Sequence, residues 1–286
     1  MWWNRLVPHV RSSPKPPAEW EYFSTTFSCY TRILLEVAIN DDNKIPLSDE
    51  FNRNNPTEKS GSLPPKSKDR SLDDAFNQFK SVLSTDGELD WSETYLDRSE
   101  QYQLMEQEAR KLGVLYEGLE PVVEGGREHD LLFDDKNGSV LKFTKPSSAG
   151  YVVDFMDEKP RLTNGDPLEY LQRLNLHNEV FGDFTQFVGL GGLKNNRRIM
   201  TRQPAVVGRK STYEEIEKLM VEDLGFTKLP HTYGIGYDES IAFIRDDVAV
   251  FDLRPANLFT TDTGMVIAID SIPVRLNETN RKAFAQ

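Results

Sequence analysis

Asp252-Leu-Arg-Pro-Ala-Asn257 and, thirteen residues further on, Asp270 at the end of Met265-Val-Ile-Ala-Ile-Asp270 decide how this chain reads. Phosphoryl transfer is catalysed mainly by positioning and by charge neutralisation, so few side chains carry it. One such set has an aspartate beside an acceptor hydroxyl, an asparagine five residues later, and a second aspartate that helps hold Mg²⁺ against the phosphates. The same residues also read as Asx-rich turns, with Asp252 and Asn257 capping a loop and Asp262-Thr-Gly264 closing a hairpin. The flanking pattern favours the first reading. Residues 241–245 and 248–251 are apolar and strand-like, and 257–260 and 265–269 form two more strands around the Asp-Thr-Gly turn.

Upstream, Gly125-Gly126-Arg-Glu-His129 precedes Leu131-Leu-Phe133, and Asn137-Gly138 marks a hairpin turn before Ser139-Val-Leu-Lys142-Phe. A glycine pair at the start of a hairpin whose returning strand bears a lysine is the layout of a phosphate-covering loop with an ATP-binding lysine. Taken singly, Lys142 is a solvated strand lysine; its place relative to Asp252 and Asp270 is what points to ATP. Residues 166–181 predict a helix, with Asp166 as N-cap, Pro167 at the first position and Leu168, Leu171 and Leu174 along one stripe. Two of its glutamates compete to orient Lys142. Glu169 also reads as the reciprocal half of a capping box, while Glu179 lies at the far end, where it opposes the helix dipole. Glu169 is the expected partner. Strands follow at 185–190 and 198–204, the second ending at Pro204 as a lobe-connecting hinge that would contact adenine. A helix over 213–224 is capped by Thr212 with Glu215 and stopped by Gly225.

In this order the signatures resemble the polyvalent-protein kinase domain, a kinase-like module of large polyvalent proteins of phages and other mobile elements. The resemblance rests on Gly-Gly-Arg-Glu-His (125–129), Val-Leu-Lys-Phe-Thr-Lys-Pro (140–146), Pro-Leu-Glu-Tyr-Leu (167–171) and Arg-Gln-Pro (202–204). Asp-Leu-Arg-Pro-Ala-Asn (252–257) and Gly-Met-Val-Ile-Ala-Ile-Asp (264–270) complete it, over a little more than half the chain. It implies an α+β, protein-kinase-like two-lobed fold with a reduced C-terminal lobe at 121–286, and an ATP- and Mg²⁺-dependent phosphotransferase of unknown acceptor. In that scheme Gly125 and Gly126 cover the phosphates, Lys142 holds them and Glu169 orients Lys142. Asp252 positions the acceptor hydroxyl, and Asn257 and Asp270 bind the metal. The chain departs from protein kinases at Val250-Phe251, where they have His-Arg, and at Ser271-Ile272, where they have Phe-Gly. Residues 271–286 are also too few for an activation segment and a peptide-binding helical lobe. The alternatives are a catalytically inactive, nucleotide-binding pseudokinase acting as an interaction module, and a structural domain that binds no nucleotide.

With 38% hydrophobic residues among 286, the chain has material for a core, yet no apolar run long enough to span a membrane. Its net charge of −12 opposes broad capture of nucleic acid, which needs a positive face. A single cysteine, Cys29, excludes an internal disulfide, and the scattered histidines offer no structural zinc set. His129 alone lies inside a motif, where packing and nucleotide contact are both open. Prolines and charges soon after Met1-Trp-Trp-Asn-Arg do not read as a signal peptide, and a cytoplasmic location is expected. Residues 1–40 read as an apolar segment and 41–70 as a flexible Pro/Ser/Lys-rich linker. Over 71–120 a helical lead-in is marked by Leu72, Phe76, Phe79 and Leu83, then by Tyr102, Met105, Ala109 and Leu112 before Gly113.

Overall fold

The hairpin expected around Asn137-Gly138 is the starting element of the observed architecture. In the computed structural model, residues 63–83 and 96–284 are described, apart from positions 147, 157, 158, 183 and 238. Strand β1 (His129–Asp134) pairs antiparallel with β2 (Ser139–Thr144), placing Leu131 opposite Lys142. The Asp134 carboxylate accepts the Asn137 N–H at 3.2 Å, and Gly138 takes a left-handed φ of 58°, which together close the turn. Strands β5 (Gln186–Leu193) and β6 (Asn196–Pro204) complete a four-stranded sheet of order β1-β2-β6-β5.

Helices α1 (Leu72–Leu83), α2 (Arg98–Leu112) and α3 (Pro167–Phe181) cover one face of this sheet. Their apolar stripes meet Phe187, Leu190 and Ile199, and Phe79 stands edge-on to Phe187 at 5.3 Å. Each fully buried side chain of this kind contributes about 1.5–3 kcal/mol of transfer free energy. Leu141 and Phe143 belong to the opposite face, with Val188 and Met200. Side chains alternate along a strand, so Lys142, between them, emerges on the α3 side. Residues 63–70 are a correction to the expected linker. The Pro64 carbonyl accepts from Arg202 at 2.7 Å, Asp69 pairs with Arg202, and Arg70 bridges to Phe187, so the end of that segment is part of the fold. The expectations for 1–40 and 41–62 fall outside the described residues.

The second half is built from short antiparallel strands. One sheet has the order β13-β10-β9-β8, from β8 (Thr227–Lys228), β9 (Ile241–Arg245), β10 (Val248–Leu253) and β13 (Ile272–Arg275). A smaller one, β12-β11-β7, joins β7 (Arg209–Lys210), β11 (Leu258–Thr260) and β12 (Val266–Ala268). Between β2 and α3 lies a hairpin of β3 (Tyr151–Met156) and β4 (Lys159–Asn164). Helix α4 (Tyr213–Lys218) starts with the Thr212–Glu215 capping box, widens into a π turn at Leu219–Asp223 and stops before Gly225 at φ 70°. The last helix is α5 (Glu278–Lys282).

Helix α3 links the two halves. Leu168, Leu171 and Leu174 lie in the core of the first sheet, whereas Leu176 and Val180 lie in a second core with Ile216, Phe243, Val250 and Leu253. The architecture is mixed α+β with antiparallel sheets. Among the described residues no helix is long and apolar enough to cross a membrane.

Candidate functional site

The convergence starts at the end of β10. Between Val250 and Leu253 the pairing of β10 with β9 slips, and Asp252 adopts a left-handed φ of 55°. Aspartate reaches that region more readily than most residues with a side chain, but it remains uncommon there and persists where the surroundings over-determine it. Those surroundings are specific. Ser240 Oγ donates to Asp252 Oδ1 at 2.7 Å, and Asn257 Nδ2 donates to the Asp252 carbonyl at 2.8 Å and to its Oδ2 at 3.0 Å. Gly236, at φ 109°, packs so closely that a Cβ there would lie 2.6 Å from Asp252 Oδ1. Burial pushes the Asp252 carboxyl above the ordinary aspartate range, and nearby Asp270 adds to the rise against Ser240, Arg254 and Asn257.

Asn257 then carries the geometry to Asp270. Its carbonyl accepts from the Ile269 N–H at 2.9 Å and the Asp270 N–H at 3.4 Å, which fixes the chain as it leaves β12. Because the Asn257 amide nitrogen is committed to Asp252, its Oδ1 lies on the other side of the amide. From the first sheet, Lys142 Nζ donates to the Ile269 carbonyl at 2.6 Å. Four residues expected to act together, Lys142, Asp252, Asn257 and Asp270, are therefore brought to one place. Burial opposes the charge of Asp270, but Lys142, His129, Arg173 and His177 outweigh it and hold its carboxyl below the usual range. The side chain keeps 34% of its surface exposed.

Glu169 is a correction. Its Oε2 accepts the Asp166 N–H at 2.8 Å, so it closes the capping box of α3 instead of reaching Lys142. Glu179 is no substitute, since it pairs with Arg275 at 2.8 Å on the surface. What α3 delivers to the site, one turn beyond Glu169, is Arg173. Its guanidinium binds Glu128 through two nitrogens, donates to the Tyr151 carbonyl at 2.6 Å and approaches Asp270 Oδ1 at 3.4 Å. Burial disfavours the Arg173 charge, yet Glu128 and Asp270 raise its pKa above the ordinary value. The signal was present in the sequence: Arg173 is the one arginine of α3 and stands between Leu171 and Leu174, on the stripe that faces inward.

The glycine pair divides its work. A Cβ at Gly125 would lie 2.2 Å from the His129 carbonyl, so this position must be glycine for the loop to fold back, and its N–H donates to Asp130 at 3.1 Å. Gly126 has open space around it. His129 packs: it is buried, its Nε2 lies 2.7 Å from the Tyr170 hydroxyl, and burial pushes its pKa down. Pro204 ends β6 and residues 205–208 carry the chain to β7.

Two donor sets for a cation deserve comparison. Glu128, His129 and Asp270 each offer one atom within 4.8 Å of the others. Arg173 already binds Glu128 and approaches Asp270, so a cation there would have to displace a guanidinium. Asp270 and the Asn257 Oδ1 are hard oxygen atoms, the donor type that Mg²⁺ takes, and the Asp270 side chain keeps one side exposed. Two surface depressions, of about 610 Å³ beside Tyr102 and Arg197 and about 380 Å³ beside Gly225 and Phe284, are lined by other residues.

Compared with known proteins, the chain matches no family model, no curated protein and no solved structure. Its class is thus set by its own geometry: a mixed α+β chain in which a lysine of the first sheet bonds the chain beside Asp270, next to the Asp252–Asn257 pair of the second half.

Proposed function

We propose that this chain is an ATP- and Mg²⁺-dependent phosphotransferase of protein-kinase-like architecture. The β1-β2-β6-β5 sheet with α3 would be the smaller lobe, and β7–β13 a reduced second lobe. The observation that carries the reading is the bond from Lys142 to the Ile269 carbonyl, across 127 residues of chain, which brings the lysine beside Asp270 of the Asp252–Asn257–Asp270 set. Asn257 Oδ1 and Asp270 would hold the metal, which supplies charge neutralisation at the phosphates when bound. Asp252 would orient an acceptor hydroxyl and take up its proton; burial raises its carboxyl above the ordinary aspartate range and so makes it a stronger base. Lys142 would hold the phosphates, and the open backbone at Gly126 would cover them. Arg173 would position Asp270, the part that a helix glutamate plays for the lysine in protein kinases. An ATP-consuming enzyme of this kind would act in the cytoplasm, and a phage or mobile-element setting follows from the sequence resemblance alone.

One observation favours the second reading, a nucleotide-binding pseudokinase. Val250 and Phe251 are fully buried core residues of β10, so no His-Arg pair supports the catalytic loop. Nucleotide binding and turnover separate the two readings. ATP with Mg²⁺ at 100 times its Kd should stabilise the protein by about 2.7 kcal/mol, and Asp270→Ala should abolish that shift. ATP turnover should fall about 10²–10⁴-fold in Asp252→Ala. Metal-dependent binding without turnover moves the assignment to the pseudokinase. Turnover unchanged in both Asp252→Ala and Lys142→Ala sinks the phosphotransferase.

A further inference from the structure

With Val250-Phe251 where protein kinases have His-Arg, some other contact must hold Asp252 in its uncommon conformation. The register of β10 against β9 shows which. Val250 pairs with Phe243 and Leu253 with Ile241, so Phe251 and Asp252 together stand opposite the single residue Ala242. That is a β-bulge, a device that bends a strand and re-aims a side chain. Phe251 stays in the core, paired with Ile272, and the bulge is taken up at Asp252, whose φ is 55°. Ser240, the residue before β9, meets it there. It is 1% exposed and donates to Asp252 Oδ1 at 2.7 Å, while Asn257 holds Oδ2 at 3.0 Å. Ser240 is itself fixed: its N–H donates to the Tyr237 carbonyl at 3.1 Å, and a Cβ on Gly234 would lie 2.1 Å from its own carbonyl. The Tyr237 ring lies 3.9 Å from the Arg254 guanidinium and 4.8 Å from that of Arg127, and Arg254 pairs with Asp252 Oδ1 at 3.6 Å. Gly236 leaves the carboxylate the room that any Cβ would take.

We propose that Ser240 is a positioning residue for Asp252, and that the clasp it forms with Gly236 supplies the support that Val250 and Phe251 do not. One donor on each oxygen stops the carboxylate from rotating. An ionised carboxylate accepts about four hydrogen bonds, so each oxygen can still accept from an acceptor hydroxyl, in a direction fixed beforehand. The proposal deepens the phosphotransferase reading and rests on it for the role of Asp252. Its consequence is that the missing His-Arg pair does not by itself make the chain a pseudokinase.

Steady-state ATP turnover and an ATP–Mg²⁺ thermal shift, run on the same variants of the full chain, test this. Ser240→Ala should lower kcat about 10–100-fold, the range for partners that orient a functional group. Its KM and its thermal-shift Kd for ATP–Mg²⁺ should stay within about twofold of wild type. Ser240→Thr keeps the hydroxyl and should recover most of the loss. Gly236→Ala crowds the same carboxylate without touching the serine and should give the same split, with kcat down and KM kept. A kcat within about twofold of wild type in Ser240→Ala, or a loss of ATP–Mg²⁺ affinity that matches the loss of kcat, overturns the positioning role. A readout without turnover separates the clasp from the reading it rests on. The Tm losses of Ser240→Ala and Asp252→Ala should not add in the double variant, because the two residues share one bond. Additive losses overturn the clasp whether or not the protein turns over ATP. Non-additive losses in a protein with no ATP turnover leave the clasp as architecture, overturn its positioning role and mark the failure of the phosphotransferase reading, not of the geometry.

Discussion

The two halves of the molecule keep their charges in opposite places. In the first sheet they are inside: Arg202 is 2% exposed and binds Asp134, Asp69, Ser139 and the Pro64 carbonyl. Arg198 with Asp130, and Arg173 with Glu128, repeat the device. In the second half the interior is apolar, with Phe243, Val250, Phe251 and Leu253 all fully buried. Apart from Arg254–Asp252 at the site, its ion pairs among the described residues, such as Arg275–Glu179 and Lys228–Glu217, lie on the surface. Buried pairs demand specific partners and punish the loss of one, whereas an apolar core tolerates exchange at similar volume. The cluster around Asp270 sits where the two styles meet, with buried cations on one side and a strained main chain on the other.

Breaking a charge in the first half should have the largest effect. Arg202→Ala strands two buried carboxylates and should cost about 3–5 kcal/mol in chemical denaturation; a cost below 1 kcal/mol would erase the contrast. Val250→Ala in the second half removes apolar volume from a packed strand and should cost about 2 kcal/mol. A subtler test is acid. His129 is held below its ordinary pKa of 6.5 by burial, so below that value the unfolded chain binds the proton more readily. Stability should therefore fall as pH drops through that window, and His129→Gln should flatten this part of the profile by at most one proton. Arg275→Ala, which removes only exposed pairs, should change stability by less than about 1 kcal/mol.

How much of this could be read beforehand divides along chemical lines. The Asp252–Asn257–Asp270 spacing and the Asn137-Gly138 hairpin were legible because local pattern dictates them. So was α3, whose cap, proline and leucine stripe all agree. The partner of Lys142 was not, because Glu169 serves the cap through a contact three residues away, and local satisfaction outran the distant role. Glu128–Arg173 could not be paired without the fold, since 45 residues separate them. The β3–β4 hairpin escaped because Tyr151-Val-Val-Asp-Phe-Met156 lacks clean alternation, its burial following the second half's core instead. Strand β13 was hidden by Pro273, which an edge strand accommodates. The residues gathered around Asp252, namely Ser240, Gly236, Tyr237 and Arg127, carry no shared spacing at all.

The hydrogen bond from Lys142 to the Ile269 carbonyl also says something about time. It joins residues 127 apart, and contacts of such separation carry a large loop-closure entropy and so form slowly. Local elements, the first hairpin and α3 among them, can assemble early without any knowledge of Asp270. In a refolding experiment, recovery of helix and sheet should thus run ahead of recovery of the site. The meeting of Lys142 with the Ile269 carbonyl would be the last feature the chain acquires and the first it loses when the halves loosen.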